Sequence, residues 1–284
     1  MDTHPTLFRP RSVAEAVELL ARHPEAKPIS GGATLVAMIN ARVIAPEQLV
    51  SLAGIPELKG ITELADGRIR IGGFTRHRET AESRLTTGTR RLVSHAASQI
   101  ANATVRNMGT IGGSISFADP GLDYPPALVA VGAEVHIAGA AGERSVPAKD
   151  FFVDWYTTAL APGEIVTAVV LPASHATGHG LYLKHARVVG DYATASVAVC
   201  ASASGTWRVA IGGCGPTPLS HADVDQALGA ARDEASLVRA AALLVELADP
   251  LDDVRGTADY RRRLIPRMLV SAVRQLDDEM GGAQ

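Results

Sequence analysis

The stretch Lys27-Pro28-Ile29-Ser30-Gly31-Gly32-Ala33-Thr34-Leu35 decides how the chain is read. Lys27 to Ser30 form a short extended piece that runs straight into a glycine pair, and residues 33–41 (ATLVAMINA) are strong helix formers. Strand, glycine turn, helix is a shape that lets backbone amides approach a ligand and points a helix N-terminus at it. A second turn of similar make-up follows later, Gly109-Thr110-Ile111-Gly112-Gly113-Ser114. Neither turn matches G-x-G-x-x-G or G-x-x-x-x-G-K-[ST], which argues against a Rossmann or P-loop site. A lone Gly-Gly is ordinarily a tight turn or a bulge. Two such turns with hydroxyls alongside (Ser30 and Thr34; Thr110, Ser114 and Ser116) instead fit a pyrophosphate held by dipoles rather than charges.

Outward from these turns, Ser12-Val13-Ala14-Glu15 reads as a capping box that opens a helix through Arg22, with Val13, Val17 and Leu20 as its apolar stripe. Residues 49–52 read as a strand, and Asp66-Gly67 as a hairpin turn before the alternating strand 68–71. Residues 90–100 and 124–131 are helical in pattern, and 134–137 are strand-like. The stretch 172–180 (PASHATGHG) has the texture of a linker. Beyond it three candidate strands, 181–188, 195–203 and 207–211, fit an antiparallel meander, followed by helices of which the last spans about 257–276. The division expected is residues 1–176, with lobes of about 1–55 and 56–176, and residues 177–284.

Composition narrows the chemistry. The 284 residues carry 27 basic and 30 acidic side chains, a net charge of −3, which leaves no electrostatic footprint for nucleic acid. No apolar run approaches the roughly 18 residues of a spanning helix, and the start shows no signal-peptide core. Two cysteines, Cys200 and Cys214, cannot build a disulfide framework, a four-thiolate zinc site or an iron–sulfur cluster. A reduced, cytoplasmic α+β protein without a metal site of its own is expected.

Three motifs occur in the order and spacing of one family: Lys27 to Leu35, Ala103-Thr104-Val105-Arg106-Asn107-Met108-Gly109-Thr110-Ile111-Gly112-Gly113-Ser114, and Lys184-His185-Ala186-Arg187-Val188-Val189-Gly190-Asp191-Tyr192-Ala193-Thr194-Ala195. The chain resembles the medium, FAD-binding subunit of bacterial molybdenum hydroxylases, the carbon monoxide dehydrogenase/xanthine dehydrogenase family. The likeness covers essentially the whole length, including residues 257–263 (TADYRRR). It implies an α+β FAD-binding fold of the vanillyl-alcohol-oxidase (PCMH) type in two lobes, closed by a C-terminal three-stranded antiparallel sheet with a helical bundle.

By the same resemblance Ile29, Ser30, Gly31, Gly32, Ala33, Thr34 and Leu35, with Thr104, Thr110, Ile111, Gly112, Gly113 and Ser114, belong to the loops around the FAD diphosphate. Asp123 matches an acidic residue on the ribose or ribityl hydroxyls, and Leu160 a residue near the adenine. Lys184 matches one that reaches toward the flavin, and Tyr192 one that covers an isoalloxazine face. Ser114 stands where relatives often carry Asn, and Ala33-Thr34 where they carry a bulkier or polar pair. The implied function is electron transfer: [2Fe–2S] clusters on a small subunit, fed by molybdopterin on a large subunit, reduce FAD here, which passes electrons to a quinone, cytochrome, NAD or oxygen. A dimer of heterotrimers in the cytoplasm is expected, with peripheral attachment to the inner membrane through the complex left open. The alternative is a stand-alone flavin-dependent oxidase or reductase of the same fold.

Each residue also has a plainer role. Asp123 ahead of Tyr124-Pro125-Pro126 suits a helix cap, Lys184 a solvated strand charge, and Tyr192 a half-buried strand residue. Arg106 suits either the surface or a phosphate. His175 and His179 have metal-like spacing for a helix, but the loop texture points to solvent. Cys214 among glycines is either a reactive thiol or a small buried residue.

Overall fold

The computed structural model describes residues 5–173, 178–202 and 204–281. The expected boundary at residue 176 and His175 lie outside them. The first sheet is parallel, in the order Thr6–Phe8, Gln48–Ser51, Lys27–Ile29, with helices Val13–Arg22 and Ala33–Asn40 as the crossovers that parallel strands require. Ser12 accepts from the Glu15 amide (3.1 Å), as a cap should. The Glu15 carboxylate, however, turns to the Arg11 amide (2.7 Å), one residue before the position a capping box calls for. The helix buries Ala16, Leu19 and Leu20 against Val50, Leu52 and Ile55, with Val13 and Val17 of the expected stripe half-buried against the same core.

The second sheet is antiparallel, in the order Ile61–Glu63, Ile69–Gly72, Ile165–Leu171, Glu134–Gly139, Gly142–Pro147. Its central strand, Ile165–Leu171, is buried at every residue. A strand covered on both faces shows no alternation, so the run IVTAVVL offers a period-two search nothing to find. Helices Arg91–Ser98, Ile111–Phe117 and Tyr124–Val131 share one core with this sheet through fully buried Leu92, Ile111, Ile115 and Leu128.

The third sheet is the expected meander, His179–His185, Ala195–Ala201 and Trp207–Gly212. Its first strand stops at His185 rather than at 188, because the chain leaves through a loop in which Gly190 takes φ +87°. Alternate residues of this sheet serve two cores. Leu181, Val197, Val199 and Trp207 pack against helices Ala222–Ala230, Glu234–Leu247 and Ala258–Gly281. Tyr182, Ala198 and Ala210 face the other way and join the core around helix Tyr124–Val131. That alternation aims Tyr182 and Lys184 at the N-terminus of this helix, where Asp123 sits. Among the described residues no helix is long and apolar enough to cross a membrane.

Candidate functional site

The two glycine segments meet, the first as a turn and the second as a break at Gly109 and Thr110 between two helices, with Gly112 and Gly113 inside helix Ile111–Phe117 instead of in the turn expected. Ser30 Oγ and Thr110 Oγ1 lie 2.7 Å apart, joining the first parallel sheet to the start of helix Ile111–Phe117. A Cβ on Gly31 would run into the Met108 carbonyl oxygen, and one on Gly112 would stand 2.6 Å from the Gly73 carbonyl oxygen. Backbone approaches backbone at both turns, which only glycine permits. Between them opens a cavity of about 340 Å³, floored by Gly73, Leu52 and Val166 and walled by the two turns.

The turns differ in what they offer a ligand. Gly32, at φ +76°, caps helix Ala33–Asn40, and the first-turn amides of Ala33, Thr34 and Leu35 have no partner within that helix. The second turn spends its amides on the protein. Ile111 donates to the Thr75 carbonyl (3.0 Å), Gly112 to Gly73 (2.9 Å), Gly113 to Thr110 Oγ1 (3.2 Å) and Ser114 to the Thr110 carbonyl (2.9 Å). Anion-binding capacity therefore concentrates at residues 33–35, while residues 110–114 supply a close, rigid wall.

At another part of the cavity wall Asp123 is buried, 4% exposed. Its Oδ1 accepts from the Tyr182 hydroxyl (2.7 Å), and Lys184 Nζ reaches Oδ1 at 3.0 Å and Oδ2 at 3.1 Å. Burial pushes the Asp123 carboxyl above the ordinary range, while Lys184 and Tyr182 pull it back. Asp123 makes no side-chain cap for the helix it precedes. Lys184 is not solvated either: its side chain is 5% exposed and also donates to the Gln99 carbonyl (3.2 Å).

Several cavity residues carry no signal in the sequence. His77 is buried, its Nδ1 3.3 Å from the Tyr124 hydroxyl and its Nε2 edge packed against Gly109. Burial, aided by the Arg106 charge, pushes its pKa down to about 4. Arg106 itself donates to the carbonyls of Ile100 (2.7 Å) and Ala101 (2.8 Å), which answers its open role: it braces the turn that lines the cavity. Glu164 sits near Leu160 and is held by Arg144 through two bonds of 2.8 and 2.6 Å. Tyr192 lies in the loop after the first meander strand, not in a strand, and the Arg255 guanidinium stands 4.9 Å over its ring. Arg255 is anchored in turn to Asp191 at 3.3 Å.

Of the residues expected at the site, Ile29 to Leu35, Thr110, Gly112, Gly113, Ser114, Asp123, Leu160 and Tyr192 line this one cavity. Three do not. Thr104 is exposed on helix Ala103–Met108, Ile111 is fully buried beneath the second turn, and Lys184 stands behind Asp123. Cys214 is fully buried, with its thiol pushed up to about 12, and so takes the plainer of its two roles. His179 begins the first meander strand.

A cavity with free helix amides, hydroxyls at its rim and one buried carboxylate suits a long ligand bearing a diphosphate and several hydroxyls. Gly31 and Gly112 let backbone pack on backbone beside the cavity, and a larger side chain at either would force its walls apart. FAD has this chemistry, and the residues present fit it. Residues 3–174 match the family model described as the FAD binding domain in molybdopterin dehydrogenase, and residues 181–276 that of the CO dehydrogenase flavoprotein C-terminal domain. The chain belongs to this family: it is an FAD-binding medium subunit of the molybdenum-containing oxidoreductases. It is 37% identical to the carbon monoxide dehydrogenase medium chain of Afipia carboxidovorans, over 93% of this chain and 94% of that one. Glyceraldehyde dehydrogenase medium chain of Sulfolobus acidocaldarius is 32% identical over 94% and 96%. The crystal structure of cyanide-inactivated Cu,Mo-CO dehydrogenase superimposes with a TM-score of 0.91 at 34% identity, covering 96% of this chain and 97% of that one.

Proposed function

We propose that the chain is the electron-transfer subunit of a heteromeric molybdenum hydroxylase, working between the [2Fe–2S] clusters of a small partner subunit and an external acceptor. A large subunit carrying molybdopterin would oxidise the substrate, and the assembly would be a dimer of heterotrimers in the cytoplasm. The observation that carries this proposal is the single cavity in which both glycine turns, Asp123 and Tyr192 converge within a medium-chain fold. FAD, when bound, supplies the exchange between one-electron donors and two-electron acceptors.

The chain's own residues bind, orient and exclude water. The amides of Ala33, Thr34 and Leu35, at the positive end of their helix, would hold the diphosphate. The Ser30–Thr110 bond holds the two glycine segments together, Asp123 would accept from ligand hydroxyls, and Tyr192, under the Arg255 clamp, would lie against the flavin. The contact set proposed is residues 29–35, 110 and 112–114 with Asp123, Leu160 and Tyr192, supported from behind by Ile111 and Lys184. Residues 1–176 would form the FAD-binding domain and 177–284 the domain that closes it. The two relatives are named for carbon monoxide and for glyceraldehyde, in keeping with a substrate chosen on another subunit.

Co-expression with the neighbouring genes tests this function. Substrate should bleach the flavin absorbance of the purified complex and leave the isolated chain's unchanged. Bleaching of the isolated chain by a small substrate would favour the stand-alone oxidase.

A further inference from the structure

We propose that Lys184 is a positioning residue that acts through Asp123: with Tyr182 it keeps the cavity carboxylate ionised and aimed at the ligand. This rests on the assignment of the cavity to FAD, but it gives Lys184 a task other than reaching the flavin.

The geometry supports an indirect role. Lys184 does not line the cavity, and its ammonium spans both carboxylate oxygens of Asp123 and the Gln99 carbonyl. The ammonium thus donates inside the protein to Asp123 Oδ2 and to the Gln99 carbonyl, with Oδ1 at ion-pair distance. Tyr182 is fully buried and donates its hydroxyl to Oδ1. Oδ2 accepts only the ammonium among these, so its remaining lone-pair capacity is available to the cavity. A buried carboxylate without a partner takes up a proton rather than hold its charge, and a carboxylic acid accepts hydrogen bonds poorly from ligand hydroxyls.

Among the described residues, no other charged side chain pairs with Asp123. Tyr124 and Tyr192, the remaining ionisable groups that sense Asp123, are neutral phenols held so by burial. On helix Arg91–Ser98, Arg91 and His95 look to Glu279 instead. Arg208 and Cys200 meet helix Tyr124–Val131 at its far end, beside Gly132 and Ala130. The helix Ile111–Phe117 contributes no ionisable side chain.

The alternation of one strand delivers this pair. Tyr182 and Lys184 are two residues apart on one face of His179–His185, and Leu181 and Leu183 on the other face pack into the C-terminal core. The C-terminal part of the chain therefore sets the charge of a carboxylate that belongs to the FAD cavity.

The test is FAD affinity against pH, by fluorescence quenching on the flavin-stripped full chain from pH 6 to 9. Wild type and Lys184→Arg should hold a near-constant affinity across this range. Lys184→Met should bind FAD at pH 9 and lose about tenfold for each unit of acidification below its new carboxyl pKa. Tyr182→Phe, which removes only a hydroxyl, should show a smaller slope of the same sign and covers the case that Lys184→Met does not fold. A Lys184→Met loss that is equal at every pH, or no loss at all, would overturn the proposal. Failure of the wild-type chain to bind FAD would instead overturn the assignment of the cavity.

Discussion

The Ser30 and Thr110 hydroxyls meet at 2.7 Å across 80 residues of sequence, and Thr110 Oγ1 at the same time accepts the Gly113 amide. One oxygen thus caps helix Ile111–Phe117 and ties it to the first parallel sheet. Thr110→Val removes both bonds and should cost about 1–2 kcal/mol in urea unfolding, with Thr110→Ser recovering most of it. An unchanged unfolding midpoint in Thr110→Val would mean that the clasp contributes nothing to the fold.

Gly31 touches the Met108 backbone, which cannot rotate away as a side chain would. Gly31→Ala must push the two turns apart. FAD affinity should fall by roughly a hundredfold, the equivalent of about 3 kcal/mol. Equilibrium dialysis against FAD reads this directly, and wild-type affinity in the variant would place the diphosphate elsewhere.

His77 gives the stability a pH dependence of known sign. Its folded pKa is about 4 against an ordinary 6.5, so between these values the unfolded chain binds a proton that the folded chain refuses. The associated stability is present above pH 6.5 and is lost as the pH falls toward 4. The loss attributable to this group is on the order of 3 kcal/mol. Urea titrations at pH 7 and pH 4.5 should show it, and His77→Gln should flatten the difference over that window. An identical slope in the variant would assign the acid sensitivity to other groups.

Cys200 and Cys214 are both buried, with thiols pushed up to about 12 by desolvation. Neither should react with Ellman's reagent in the native chain, and both should titrate after denaturation. A fast native equivalent would mark one of them as reactive after all.

Arg255 holds Tyr192 by stacking over its ring and by anchoring to Asp191. Arg255→Ala should weaken FAD binding by about fivefold, in line with a part-exposed cation–π contact of about 1 kcal/mol. Titration of the stripped chain with FAD measures this, and unchanged affinity would show that Tyr192 keeps its place without the clamp.

Much of this fold is written in local signals. The glycine pair at 31–32 and the Asp66-Gly67 hairpin depend on neighbours in sequence and lie where their patterns place them, the meander is found with shifted strand ends, and Gly112-Gly113 falls inside helix Ile111–Phe117 rather than in a turn. The strand Ile165–Leu171 is silent because burial on both faces erases the alternation that would mark it. The site is legible to the same extent. Ser30, Gly31 and Thr110 stand out by motif, whereas His77 enters the wall only through long-range packing. Lys184 is visible as a residue but not as a partner of Asp123, since 61 residues separate them and only tertiary packing brings the strand to the start of helix Tyr124–Val131.

The central claim is that the cavity between the two glycine turns holds FAD. The direct measurement is the visible spectrum and the acid-released flavin of the chain purified with its operon partners. One FAD per chain is predicted, with Gly31→Ala purified largely without it. A colourless wild-type complex that takes up no added FAD would contradict the account.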